Sequence, residues 1–179
     1  MKLRIIAGEY GGRFIEAPTG TTTHPMGERI RGSLFNMLGD ISGKTILDPF
    51  AGSGAISIEA ISRGAAHAIA IEKDRKAQLV LAKNIANLGL EDKITIIRAN
   101  CRAWSEANQD KLFDLIIADP PYNDLQLSTL ALLIQHLKTT STMLLSHSGR
   151  ESAPTVNGVV VVDKRSYGDA ALAVYRKEA

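Results

Sequence analysis

Two hydrophobic rhythms alternate along this chain. Short, nearly continuous apolar runs recur in "TILDPF", "HAIAIE", "KITIIRAN", "FDLIIADPP" and "STMLLSHS". Such runs suit strands buried on both faces. Between them lie "SGAISIEAISRG", "RKAQLVLAKNIANLG", a short segment through Trp104, and "LSTLALLIQHL". These segments predict helices, and Gly64 and Gly89 stop the first two. Strands alternating with helices imply a parallel sheet covered on both sides.

The two ends break this rhythm. "LRIIAGEYGGRFIEAP" predicts a hairpin, Leu3–Ala7 and Arg13–Ala17, around Gly11-Gly12. Ile30, Leu34, Phe35 and Leu38 then fall at helical spacing, which predicts a helix over 28–38. Residues 1–42 thus form an extension on a core of residues 43–179, within one domain. At the other end, "GVVVVDKRSYGDAALAVYRK" holds two strand-like runs around Gly168-Asp169, with no helix between them. That pattern predicts an antiparallel hairpin closing a seven-stranded, mostly parallel sheet. Rossmann-like methyltransferases share this α/β arrangement, although fold alone does not give function.

Composition adds little. The 179 residues are 45% hydrophobic and 22% charged, with a net charge of +2, as expected of a globular domain. Arg4, Arg13, Arg29 and Arg31 make the first 31 residues a candidate basic face for phosphates. Cys101 is the only cysteine, which excludes an internal disulfide and a zinc cluster of cysteines. His67, His136 and His147 have no partners at ligand spacing, so no metal is expected. "MKLRIIAGEY" lacks the apolar core of a signal peptide, and no run is long enough to span a membrane. A cytoplasmic protein is expected.

"LDPFAGSGAISIEA" joins a strand to a helix through Gly52 and Gly54. A dinucleotide fingerprint would place a third glycine at position 57, where this chain has Ser57. Asp48 at the start of the loop would also repel a pyrophosphate. A nucleoside with a cationic sulfonium and an amino-acid tail fits better. Glu72, 20 residues beyond Gly52, has the position of an acid that binds ribose hydroxyls. Asn100, expected to end the third strand, could meet an adenine edge. Asp48, Glu72, Asn100 and Asp119 all fall at carboxyl ends of strands, where such sheets bind ligands.

"ADPPY" follows the fourth core strand. A residue before proline is held extended, and prolines carry no N–H. Asp119 and the Pro120 carbonyl therefore offer acceptors with few competing donors. Such a corner suits an exocyclic amine, whose lone pair could be turned toward an activated methyl. Tyr122 offers a ring on which a base could stack.

These motifs resemble a known family. "RIIAGEYGGRFIEAP", "ERIRGSLFNML", "LDPFAGSGAISIEAISRGAAHAIAIEKD" and "ADPPY" look like the bacterial 16S rRNA guanine-N2 methyltransferases of the RsmD type. The resemblance runs nearly end to end. It implies a class I fold, S-adenosylmethionine as cofactor, and a guanine amine of 16S rRNA in an assembling small subunit as acceptor. The residues and the resemblance together place the expected cofactor contacts at Asp48, Phe50, Ala51, Gly52, Ser53, Gly54, Glu72, Lys73, Asn100, Cys101 and Asp119. Catalysis is expected at Asp119, Pro120, Pro121 and Tyr122, and RNA contacts at Arg4, Arg13, Arg29 and Arg31, of which the resemblance supplies Arg29 and Arg31. A monomer is expected. His24-Pro25-Met26 departs from the family's Arg-Pro-Thr, and Gly32 stands in place of its usual Glu. Two alternatives remain: a DNA adenine-N6 or cytosine-N4 methyltransferase, and a non-catalytic RNA-binding assembly factor.

Overall fold

The computed structural model describes residues 1–19 and 25–178. His24 therefore lies outside the described residues. The chain order is β1 (Lys2–Arg4), β2 (Phe14–Glu16), α1 (Glu28–Leu38), β3 (Thr45–Asp48), α2 (Ala55–Ser62), β4 (His67–Ile71) and α3 (Arg75–Leu88). There follow β5 (Ile94–Ile97), α4 (Cys101–Ala107), β6 (Phe113–Ala118), α5 (Leu127–Leu133), β7 (Leu137–Ser148), β8 (Val159–Tyr167) and β9 (Ala170–Lys177).

β1 and β2 form a separate antiparallel pair, and the other seven strands form one sheet in the order β5-β4-β3-β6-β7-β9-β8. Neighbours among β5, β4, β3, β6 and β7 are parallel, whereas β9 runs antiparallel between β7 and β8. From β3 the chain first builds outward through β4 and β5, then returns to place β6 on the other side. That reversal creates a crevice at the carboxyl ends of β3 and β6.

Alternation along the strands divides the core between the two faces. On β7, Leu144 joins Leu34, Phe35, Ile58, Leu81 and Leu172 on one side. Met143 and Leu145 join Trp104, Leu130, Leu133 and Tyr175 on the other. Trp104 is a core residue, tilted against Phe113 and His136. His136 is buried, with its ring nitrogens at Ser105 Oγ and the Lys111 carbonyl.

The N-terminal hairpin forms, but its strands are shorter than the apolar run predicts. Beyond Ile5 the backbone leaves its partner strand. The Ile6 and Ala7 N–H groups donate to Glu59 of α2 instead, at 2.8 and 3.1 Å. Glu59 is fully buried and is also approached by Arg31 at 3.8 Å and Arg63 at 2.9 Å. One carboxylate thus fastens hairpin and α1 to the core. The predicted helix over "LSTLALLIQHL" ends earlier, at Leu133, in a 3-10 turn over Ile134–His136.

Candidate active site

The loop after β3 makes the first wall of the crevice. Gly52 has φ +53° and Gly54 has φ +87°, backbone that side chains disfavour. Their surroundings differ. A Cβ on Gly54 would lie 2.4 Å from Leu81 Cδ1, so this glycine lets α2 pack against α3. A Cβ on Gly52 would meet nothing within 4 Å, so this position faces open space. The loop is held from outside itself. Glu72 Oε1 accepts the Gly52 N–H at 2.8 Å, and its Oε2 accepts the Asp74 N–H at 2.7 Å. Asn84 of α3 donates to the carbonyls of Ser53 and Glu16, tying the glycine loop to the N-terminal hairpin.

Asp48 ends β3 and is fully buried. The Ser57 hydroxyl donates to its Oδ2 at 2.6 Å, while its Oδ1 has no partner among the described residues. Burial pushes its carboxyl up to about 7; Ser57 opposes the shift, and Asp119 and Glu72 add to it by repulsion. Asp48 thus feels the carboxylates at two other strand ends. An unpaired buried acceptor is costly, which makes it a ready partner for a ligand's cationic donor.

Asp119 follows β6 directly. Because Ala118 pairs with Leu145 of β7, the next residues in register are Asp119 and Ser146. Burial pushes the Asp119 carboxyl up to about 6, and the Ser146 hydroxyl draws it part of the way back. Ser146 is itself fully buried, and its Oγ lies 2.5 Å from the Tyr122 hydroxyl. Tyr122 is 38% exposed, with its hydroxyl end anchored. The Pro121 carbonyl accepts the Asp124 N–H at 3.0 Å, closing the turn after the prolines. Pro120 is buried beneath it.

The remaining expected cofactor residues lie around this crevice. Ala51 and Ser53 are buried in the loop and Phe50 is half-buried. Lys73 is exposed just past β4. Asn100 requires a correction: β5 ends at Ile97, and Asn100 is instead the N-cap of α4. Its Oδ1 accepts the Ala103 N–H at 2.8 Å, which leaves its two amide N–H donors and one lone pair for a ligand. Cys101 is buried in the first turn of α4, and burial raises its thiol.

Arg31 is a second correction. It is 1% exposed and donates to the Met26 carbonyl at 3.2 Å and to the Arg4 carbonyl. It holds the fold together and cannot meet a phosphate. Its spacing three and four residues before Leu34 and Phe35 already puts it on the buried stripe of α1. The other three arginines are exposed. Arg4 pairs with Glu28, Arg13 lies 5.9 Å from the centre of the Tyr10 ring, and Arg29 lies 5.6 Å from that of Tyr167.

Ser146 and Asn84 went unnoticed in the sequence because nothing local marks a polar residue inside an apolar run as a tether. Among the described residues, no group of three His, Cys, Asp or Glu side chains could hold a metal ion, and no helix is long and apolar enough to cross a membrane.

Strand order, the reversal at β3 and β6, and the glycine turn define a Rossmann-like class I methyltransferase fold. A protein family described as Conserved hypothetical protein 95 matches residues 3–176. The chain belongs to this family, which is the RsmD-type methyltransferase family its motifs resemble. YlbH of Bacillus subtilis is 35% identical over 182 residues, covering 98% of this chain and 99% of that protein. Ribosomal RNA small subunit methyltransferase D of Buchnera aphidicola is 40% identical over 123 residues, 68% of this chain and 64% of that protein. The solved structure of yhhF from Escherichia coli superposes with a TM-score of 0.88 at 32% identity, covering 100% of this chain and 99% of that one.

S-adenosylmethionine, the methyl donor of this fold class, fits the residues present. Asp48 Oδ1 is an acceptor without a donor, Gly52 leaves open space beside the loop, and Glu72 retains lone pairs beyond the two it has committed.

Proposed function

We propose that this protein methylates the exocyclic N2 amine of a guanine in 16S rRNA, within an assembling small ribosomal subunit. The observation that carries the reading is the meeting of Asp48, Glu72 and Asp119 around one glycine turn, with an acceptor of Asp48 left unpaired. Carboxyl groups gathered there suit a cationic donor, which would favour their charged forms, and disfavour a pyrophosphate. The relatives named as small-subunit rRNA methyltransferases supply the choice of RNA.

Bound S-adenosylmethionine supplies an electrophilic methyl on a sulfonium. The residues of this chain do the rest. Asp48 and Glu72 hold the cofactor's amino-acid and ribose ends, with the Gly52–Gly54 turn, Phe50, Ala51, Ser53, Lys73, Asn100 and Cys101 around it. The Asp119 carboxylate and the Pro120 carbonyl accept the two amine hydrogens. This fixes the nitrogen and turns its lone pair toward the methyl. As the N–C bond forms and the C–S bond breaks, positive charge grows on nitrogen beside the Asp119 carboxylate. The carboxylate then takes the surplus proton, leaving the methylated amine neutral. Tyr122, anchored through its hydroxyl, presents its ring for the flipped base. Holding acceptor and donor in line supplies much of the acceleration.

The deciding experiment uses labelled S-adenosylmethionine and small-subunit particles lacking the modification. Label should appear on the N2 of one guanine of 16S rRNA. Asp119→Ala should abolish transfer while cofactor binding persists. Absence of label with folded, cofactor-binding protein would remove the proposal.

A further inference from the structure

A second cleft, of about 590 Å³, lies between α1 and the tip of the β8–β9 hairpin. Its walls include Arg29, Gly32, Ser33 and Asn36 from α1, and Tyr167 from the hairpin. Nothing in the chemistry above uses it.

Topology puts this cleft on the catalytic rim. Tyr167 pairs with Ala170, and Ala170 with Ser148. Ser148 lies three residues beyond Leu145, the partner of Ala118. The hairpin tip therefore stands at the same end of the sheet as Asp119, three strands away. With strands about 4.8 Å apart and roughly 3.3 Å per residue, the separation is roughly 15–20 Å. A few nucleotides of single-stranded RNA can span that distance.

The lining suits a nucleotide. The Tyr167 hydroxyl is hydrogen-bonded to Ser33, so the ring is fixed to α1. The Arg29 guanidinium sits 5.6 Å from the ring centre, an aromatic–cation platform on which bases stack. Glu28, the one acid in the lining, is already paired with Arg4. Arg165, exposed and two residues before Tyr167, lies on the same face of β8 and adds positive charge. Gly32 keeps the floor low, since a Cβ there would approach only Ile6 Cδ1, at 3.6 Å. Asn36 adds an amide that can both donate and accept.

We infer that the cleft between α1 and the β8–β9 tip is a subsite for a nucleotide flanking the methylated guanine, with its base on Tyr167 and its phosphate at Arg29. The inference rests on the proposed RNA substrate and names where a second part of that substrate is held.

The test measures binding of a labelled single-stranded, guanine-containing oligoribonucleotide to the full chain by fluorescence anisotropy, across a range of salt. The variants are Tyr167→Ala, Tyr167→Phe and Arg29→Gln, each checked for an unchanged thermal midpoint. Tyr167→Ala should weaken binding roughly 5- to 100-fold, the worth of one stacked base. Tyr167→Phe keeps the ring and should stay within about twofold of the parent, because stacking needs only the π-face. Arg29→Gln should reduce the slope of log K against log salt by about 0.7, one phosphate contact on a single strand. Wild-type-like binding by Tyr167→Ala and Arg29→Gln would overturn the inference. So would a loss with Tyr167→Phe as large as with Tyr167→Ala, since the tyrosine would then be only a tie to Ser33. A parent protein that binds no oligoribonucleotide overturns it too. Methyl transfer to 16S rRNA with an unchanged KM in Tyr167→Ala leaves the reaction standing and removes the cleft. Oligoribonucleotide binding that depends on Tyr167, without transfer, does the reverse.

Discussion

The Ser146 hydroxyl lies 2.5 Å from the Tyr122 hydroxyl, and Ser146 follows in register beside Asp119, so one buried side chain on β7 anchors the tyrosine end of the Asp-Pro-Pro-Tyr corner and neighbours its acid. Ser146→Ala removes that restraint without touching the substrate. A hydrogen bond between two neutral hydroxyls is worth about 0.5–1.5 kcal/mol, so kcat should fall roughly 2- to 10-fold with cofactor affinity unchanged. The pH profile adds an independent check. On the proposed mechanism activity needs the Asp119 carboxylate, whose value of about 6 in the free protein places the acid limb of kcat/KM near that pH. Losing the hydroxyl that draws the value down should move the limb upward. Ser146→Thr, which keeps a hydroxyl, should leave it in place. An unmoved limb and an unchanged kcat in Ser146→Ala would make the serine incidental.

Gly52 and Gly54 look equivalent in sequence but should fail in different ways. At Gly54 an alanine combines left-handed strain with a collision against Leu81, a loss of roughly 2–5 kcal/mol in stability. At Gly52 the strain alone costs about 1–2 kcal/mol. The added methyl there projects into open space where the cofactor is proposed to lie. Calorimetric titration should show S-adenosylmethionine binding roughly 5- to 150-fold weaker for Gly52→Ala, an overpacking loss of about 1–3 kcal/mol. Equal binding by the two variants would contradict this division.

Arg31→Ala should act on stability. It strips the buried Glu59 of one of its two cations, and breaking a buried pair costs about 3–5 kcal/mol. Urea denaturation should register the loss. The salt dependence of RNA binding, measured where the variant remains folded, should match that of the parent. A reduced salt slope would mean that Arg31 reaches phosphate after all.

Asp48 should leave a mark on stability versus pH. Its folded value of about 7 lies above the ordinary carboxyl value near 4, so between these pH values the folded chain holds a proton that the unfolded chain has released. Stability from this group is therefore lost as pH rises through that window. Asp48→Asn lacks the effect. Its thermal midpoint relative to the parent should be higher at pH 8 than at pH 5, while cofactor binding weakens. A difference between the two proteins that stays constant with pH would refute the assignment.

The fold was readable because its signals are local. A continuous apolar run marks a doubly covered strand, and Gly89, with φ +67°, closes α3 where the pattern predicts. Helix α1 occupies Glu28–Leu38 as its apolar spacing indicates, and the last hairpin turns at Gly168. Asp119 and the glycine loop stood out for the same reason, since prolines and glycines restrict or free the backbone wherever they occur. The expectations that Arg31 meets RNA and that Asn100 ends a strand fail because a residue type does not state its partner. The guanidinium went to Glu59, 28 residues away, and the Asn100 oxygen went to the helix it caps.

By itself the sequence determined the order of strands and helices, the glycine turn and the acid before two prolines, because backbone preference and apolar period act over a few residues. Only the tertiary structure decided that Ser146 lies beside Asp119, that Arg31 is spent inside the core, and that α1 meets Tyr167 to form a second cleft. Those outcomes depend on strand register and on which buried charge finds which partner, and both are settled by contacts between residues far apart in the chain.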